Sequence, residues 1–224
     1  MKKIIFPGWA VPLNLYSHLK SDFILDFGFF KNQNTNLSVI PCSLDSIDTE
    51  SLKNLLPNEE LHIIAHSLGA LPALSIASEL LNIKKLTIIA GFAKFSQSDD
   101  YPYGKPVAGI NMMQGMLGLA AGMVLSRFYN EMTKPSDFNI EELAKPNSKE
   151  LKKGLELLKT EDFRCLLSKI NIPVSIIHGK ADAIVDFRIA ENLHNSLSNS
   201  TLKLIDNTGH ALPFTHYDEY KSEI

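Results

Sequence analysis

The stretch LHIIAHSLGALPAL, Leu61 to Leu74, sets a serine between two apolar runs with no polar loop on either side. A short, uniformly apolar run such as Leu61 to Ala65 fits a buried parallel strand better than a surface helix. From Leu68 to Leu81 the apolar residues recur at helical spacing. Ser67 therefore stands on an abrupt strand-to-helix turn. Such a turn lifts the hydroxyl above the carboxyl edge of a sheet, where open α/β folds bind ligands, and it demands small neighbours such as Gly69.

Similar apolar runs occur at Ile4 to Phe6, Phe23 to Phe27, Leu86 to Ala90, Val174 to His178 and Leu202 to Ile205. Helical patterns over Leu44 to Leu56 and Phe187 to Leu197 lie between them, so the chain reads as a doubly wound, mostly parallel α/β sheet of about six strands. From about Phe95 to Ser168 the alternation stops, and helical patterns appear without a convincing strand. The expected division is a core of residues 1–95 and 169–224 with a helical lid insertion over 96–168. That insertion holds five of the six methionines, Met112, Met113, Met116, Met123 and Met132. Flexible thioether side chains there suit an adaptable apolar channel or the packing core of a lid.

The 224 residues suffice for one such domain. A net charge of -3 gives no electrostatic case for nucleic-acid binding. Cys42 and Cys165 lack metal-ligand or disulfide-framework spacing and read as buried small residues. No metal and no cofactor is expected. The opening MKKIIFPGWA loses its apolar run at Pro7 and Gly8, too soon for a signal-peptide core, and no run of membrane-spanning length is read. A cytoplasmic setting without membrane contact is the expectation.

A serine hydroxyl needs an imidazole to take its proton, and a carboxylate must hold that imidazole. Later strand ends supply both. HGKADAIV places Asp182 after the run ending at His178, and DNTGHALPF places His210 after the last run. The chain order serine, acid, histidine follows. Asp186 is the second candidate acid, although its place at a helix start favours N-capping. His62 and His66 lie too near Ser67 in the chain, His178 ends a strand, and His216 falls in a terminal helical turn. The developing oxyanion needs two backbone N–H groups, for which Leu68 and Trp9, in FPGWA, are the candidates.

These residues resemble the α/β-hydrolases, and within them the pimeloyl-acyl-carrier-protein methyl ester esterases of biotin synthesis. The similarity rests on Gly8-Trp9, Ser67-Leu68-Gly69, FSQSDDYPYGKP, Arg127-Phe128 and GLELLKTEDFR, Gly154 to Arg164, in family order. Pro7 and Ala65 depart from it, standing where the family has histidine and glycine, and Tyr129 to Met132 diverge. The resemblance implies serine-dependent hydrolysis of a methyl ester on a pimeloyl chain carried by acyl carrier protein. It makes Ser67, Asp182 and His210 the catalytic residues, Trp9 and Leu68 the oxyanion site, and Trp9, Leu68, Phe128 and Arg127 the substrate contacts. Lys149, Lys152 and Lys153 share a helix face that could meet an acidic carrier, or form a solvated mixed face with Glu141, Glu142, Glu150 and Glu156. Two other readings compete: a broad carboxylesterase or lactonase acting on free esters, and a non-catalytic binding module.

Overall fold

The computed structural model describes residues 1–45, 49–140 and 144–224. Seven strands form one parallel sheet: β1 (Lys2–Phe6), β2 (Phe23–Asp26), β4 (Ser38–Pro41), β5 (Leu61–His66), β6 (Ile83–Ile89), β8 (Val174–Gly179) and β9 (Ser200–Ile205). Their spatial order is β4-β2-β1-β5-β6-β8-β9. The helices α1 (Thr49–Leu55), α2 (Ala70–Ala77) and α5 (Phe187–Ser196) connect strands of this sheet. Central strands are buried on both faces: Ile4, Ile5, Ile63, Ile64, Ile88 and Ile177 are at most 1% exposed. That burial is why these segments are unbroken apolar runs rather than alternating ones.

The sheet has one strand more than the six expected. β4, SVIP, is an edge strand, largely exposed and ending in proline, so it carries neither an apolar run nor a clean alternation. A second correction concerns the long connection between β6 and β8, which does contain a strand: β7 (Lys145–Pro146) pairs antiparallel with β3 (Phe30–Lys31). Two residues are too few to leave a periodic signal. Cys42 is half-buried and Cys165 exposed, both as free thiols, so the reading of both as buried fails. Part of the expected Leu44 to Leu56 helix, residues 46–48, lies outside the described residues, as do Glu141 and Glu142.

The β6–β8 connection carries α3 (Val107–Thr133) and α4 (Ser148–Thr160). At 27 residues, with an 18-residue window of mean hydropathy 1.4, α3 is by length and composition alone long and apolar enough to cross a membrane, which the sequence does not lead one to expect. It is not one straight helix. Ala120 leaves helical geometry at φ -149° and ψ 56°, dividing α3 into two shorter arms. The ends of the connection are joined by charge. Arg164 reaches Asp100 at 2.9 Å and Asp162 at 2.7 Å, Lys94 meets Asp162 at 2.9 Å, and the Arg164 guanidinium lies over the Tyr101 ring. FSQSDDYPYGKP and the end of GLELLKTEDFR thus meet in space.

Glycines separate into two kinds. A Cβ on Gly69 would fall 2.1 Å from the Phe6 carbonyl oxygen, whereas one on Gly115, in α3, would meet nothing within 4 Å. Gly69→Ala is therefore expected to destabilise by more than about 2 kcal/mol, because strand backbone cannot yield. Gly115→Ala should be neutral or stabilising by up to about 1 kcal/mol, through helix propensity alone. Urea denaturation of both variants measures the contrast.

Candidate active site

β5 ends at His66, and the chain turns at once into a short 3-10 segment, Ser67–Gly69, that leads into α2. Ser67 takes φ +52°, a left-handed conformation that a side-chain-bearing residue adopts only when its surroundings enforce it. The enforcement is visible on both sides. Gly69 lies against Phe6 of β1, and Ala65 is fully buried in β5 between Phe6 of β1 and Ile88 of β6.

The loops after β8 and β9 bring Asp182 and His210 to this turn. Ser67 Oγ lies 2.9 Å from His210 Nε2, and His210 Nδ1 lies 2.7 Å from Asp182 Oδ2. Asp182 Oδ1 accepts the backbone N–H groups of Ile184 and Val185, each at 2.8 Å. Burial by itself would raise the Asp182 carboxyl, but electrostatic attraction to His210 and hydrogen bonds from His178 and His210 outweigh it, holding the group well below the usual carboxylate range. With Asp182 ionised and facing Nδ1, the His210 tautomer that points a lone pair at Ser67 is favoured. Asp186, the other candidate acid, caps α5 by accepting the Arg188 N–H at 3.0 Å.

Ser67 opens into a cavity of about 340 Å³ walled by Trp9, Phe95, Ile110, Phe128, Leu155 and Ile184. Phe128 and Trp9 meet edge to face at 5.0 Å. The Trp9 indole N–H donates to the Leu151 carbonyl of α4, so the ring is a fixed wall rather than a free donor. The Gly8–Trp9 backbone passes close to Ser67, since a Cβ on Gly8 would sit 3.3 Å from Ser67 Cβ. Leu68 is fully buried and its side chain does not line the cavity. Met112, Met116 and Met123 stand at the mouth, at least 40% exposed, with Arg127 and Glu131 paired beside them at 3.3 Å.

The three lysines on α4 differ in circumstance. Lys153 is engaged by Asp45 at 2.7 Å and Glu150 at 3.1 Å. Lys152 is half-buried and extends its ammonium over Gly118 of α3. Lys149 is exposed. The face is thus less positive than its composition implies. Among the described residues no cluster of histidine, cysteine and carboxylate side chains could hold a metal ion.

Two histidines carry parts that the sequence reading did not assign. His178 Nε2 faces the Val185 carbonyl at 3.0 Å and Asp182 Oδ2 at 3.3 Å, giving the acid a second imidazole partner. Its position four residues before Asp182, at a strand end, was the available signal. His66 is buried against His210, and burial, reinforced by electrostatic repulsion from the neighbouring imidazole, pushes its own imidazole down to about 3. A buried histidine adjoining Ser67 in the chain offers no sequence cue to its partner, Tyr16, which is 50 residues away.

A family model described as the alpha/beta hydrolase fold matches residues 44–217. A pimeloyl-[acyl-carrier protein] methyl ester esterase from Nitrosomonas europaea is 28% identical over 191 residues, which are 80% of this chain and 75% of that protein. A protein of the same name from Neisseria meningitidis serogroup B is 29% identical over 70% of this chain, a match spanning 64% of its own length. Among solved structures, an esterase from Exiguobacterium antarcticum superposes with a TM-score of 0.79 at 18% identity, covering 98% of this chain and 88% of that one. An enol-lactonase from Burkholderia xenovorans has a TM-score of 0.74 at 11% identity, with the same coverage of both chains. At such identities these two speak to fold alone.

The depressed Asp182 carboxyl has a consequence for stability. Its folded-state pKa lies below its unfolded value of about 3.9, so its contribution is fully present above that value and is lost as pH falls toward the folded pKa. The stability gap between wild type and Asp182→Asn should therefore be largest near neutrality and shrink below about pH 4. Urea melts of both proteins across pH 3 to 7 measure it, and a gap that stays constant would contradict the assignment.

Proposed function

The chain belongs to the α/β-hydrolase family, and from that premise we propose that it is a serine carboxylesterase which hydrolyses the methyl ester of a pimeloyl chain carried by acyl carrier protein, in biotin synthesis. The observation that carries the reading is the unbroken row from Ser67 Oγ through the His210 ring to Asp182 at the floor of an apolar cavity. The names and coverage of the Nitrosomonas and Neisseria relatives support the substrate. The setting proposed is the cytoplasm.

In this reading Ser67 Oγ attacks the ester carbonyl while His210 Nε2 takes its proton. Asp182 keeps the imidazole oriented and balances its positive charge. The backbone N–H groups of Trp9 and Leu68 hold the oxyanion, at the crossing of the Gly8–Trp9 backbone and the turn. His210 then returns the proton to the departing methanol. It next activates a water that releases the acyl group from Ser67 as a carboxylate. The Trp9 and Phe128 rings wall the acyl chain, and the β6–β8 connection acts as a lid whose methionine-rich mouth is the entry.

A second reading, a hydrolase of free small esters or lactones, is favoured by the engagement of Lys153 with Asp45 and Glu150 and of Arg127 with Glu131, which leaves less free positive charge for an acidic carrier. Lys149 and Lys152 would then carry most of any docking.

The test has two arms. Ser67→Ala and His210→Ala should each lower kcat on a short p-nitrophenyl ester by on the order of 10⁴ or more, with the double variant losing little further, because such residues act as a unit. Asp186→Asn should change kcat far less than Asp182→Asn. With wild type, kcat/KM for carrier-bound pimeloyl methyl ester should exceed that for the free diester by at least about tenfold at low salt and converge toward it as salt screens the encounter. Equal values at all salt concentrations would move the assignment to the free-ester enzyme.

A further inference from the structure

Three buried hydrogen bonds outside the Ser67–His210–Asp182 row form one chain. The Gly8 backbone N–H donates to Tyr16 Oη at 2.9 Å, Tyr16 Oη lies 2.7 Å from His66 Nδ1, and His66 Nε2 lies 3.2 Å from the His210 carbonyl oxygen. Tyr16 is 0% and His66 1% exposed, so solvent does not complete any of these bonds. Phe214 closes the group with edge contacts to both rings, at 5.2 Å and 5.7 Å.

Counting protons gives the chain a direction. The Gly8 N–H can only donate, so it occupies a lone pair of Tyr16 Oη and leaves the single phenolic proton for His66 Nδ1. Nδ1 must then present a lone pair, the ring proton sits on Nε2, and the His210 carbonyl accepts it. The opposite tautomer would set the Nε2 lone pair against a carbonyl lone pair in a buried site, an arrangement with an unpaired acceptor on each side. Each of the three loops that meet at Ser67 is held by this chain: the Gly8–Trp9 segment at its start, the β5 end in the middle, and the His210 loop at its finish. There is no slack at Gly8, where a Cβ would lie 2.9 Å from His66 Nδ1.

We propose that Tyr16 and His66 are positioning residues for the reaction at Ser67, holding the Trp9 peptide and the His210 backbone in register through one directed chain of buried hydrogen bonds. The proposal rests on the reading of Ser67 and His210 as nucleophile and base. Neither residue touches the reacting atoms, so their effect falls on how well the N–H donors and the imidazole are placed when charge develops. Placement errors of that kind cost rate rather than ground-state binding.

The experiment combines kinetics with ring-nitrogen NMR of ¹⁵N-histidine-labelled protein at pH 7. Tyr16→Phe keeps the packing against Phe214 and removes only Oη. It should lower kcat on a p-nitrophenyl ester by about tenfold or more while KM stays within about twofold. In wild type, Ser67→Ala and Tyr16→Phe alike, His66 should appear as the neutral Nε2–H tautomer, because the His210 carbonyl still takes that proton, and in Tyr16→Phe the Nδ1 resonance should move downfield as its lone pair loses the phenolic proton. If Tyr16→Phe does not fold, His66→Gln replaces it; it stays polar but lacks two nitrogens at imidazole spacing, and it should show the same split of kcat from KM. An Nδ1–H or charged His66 in wild type, or a folded variant with undiminished kcat, overturns the proposal. The spectrum needs no turnover. A wild type that hydrolyses no ester would therefore defeat the esterase reading, while the tautomer would still decide the hydrogen-bond chain.

Discussion

The approach of the Ser67 turn to strand β1 is the constraint on which the site depends. With no room for even a Cβ between Gly69 and the Phe6 carbonyl, and with Ser67 at φ +52°, the chain can leave β5 along only one path. That path aims Ser67 Oγ toward the carboxyl ends of β8 and β9, from which Asp182 and His210 arrive. The strain at Ser67 is sustained because β1 and β6 flank β5 in a core with almost no exposed surface.

The β6–β8 connection is bound to the same point by backbone-directed contacts rather than by general apolar packing alone. Trp9 donates to Leu151 of α4, Tyr129 of α3 donates to the Ala10 carbonyl at 2.8 Å, and the Ala211 N–H donates to Met132 at 2.9 Å. Gly154 allows Trp9 to lie against α4, since a Cβ there would fall 2.5 Å from the indole. Two of these contacts hold the Gly8–Trp9 loop and the third holds the His210 loop. The middle of α3 is different: Leu119 and Met123 are well exposed and lie either side of the break at Ala120. A rigid floor with an adaptable apolar entrance is the physical result.

Central strands were legible because double burial writes itself as an apolar run, and the turn at Ser67 because the serine interrupts two such runs with a glycine following. Asp182 and His210 followed from the strand ends they succeed. Other features had no local signature. β4 is an exposed edge strand ending in Pro41, and β3 and β7 are two residues each. Tyr16 and His66 escaped for another reason: their hydrogen bond joins residues far apart in the chain, and neither the tyrosine nor the histidine is unusual where it stands. The α4 lysines show the converse, a face that composition makes basic and that Asp45, from a distant loop, partly neutralises.

The account turns on Ser67 being a nucleophile made reactive by His210. The most direct measurement is the rate and site of labelling by a fluorophosphonate, followed by peptide mass spectrometry on wild type and His210→Ala. The account predicts one adduct per chain, on the peptide containing Ser67, with labelling slowed by orders of magnitude when the imidazole is gone. An adduct on any other residue, or equal labelling of both proteins, would contradict it.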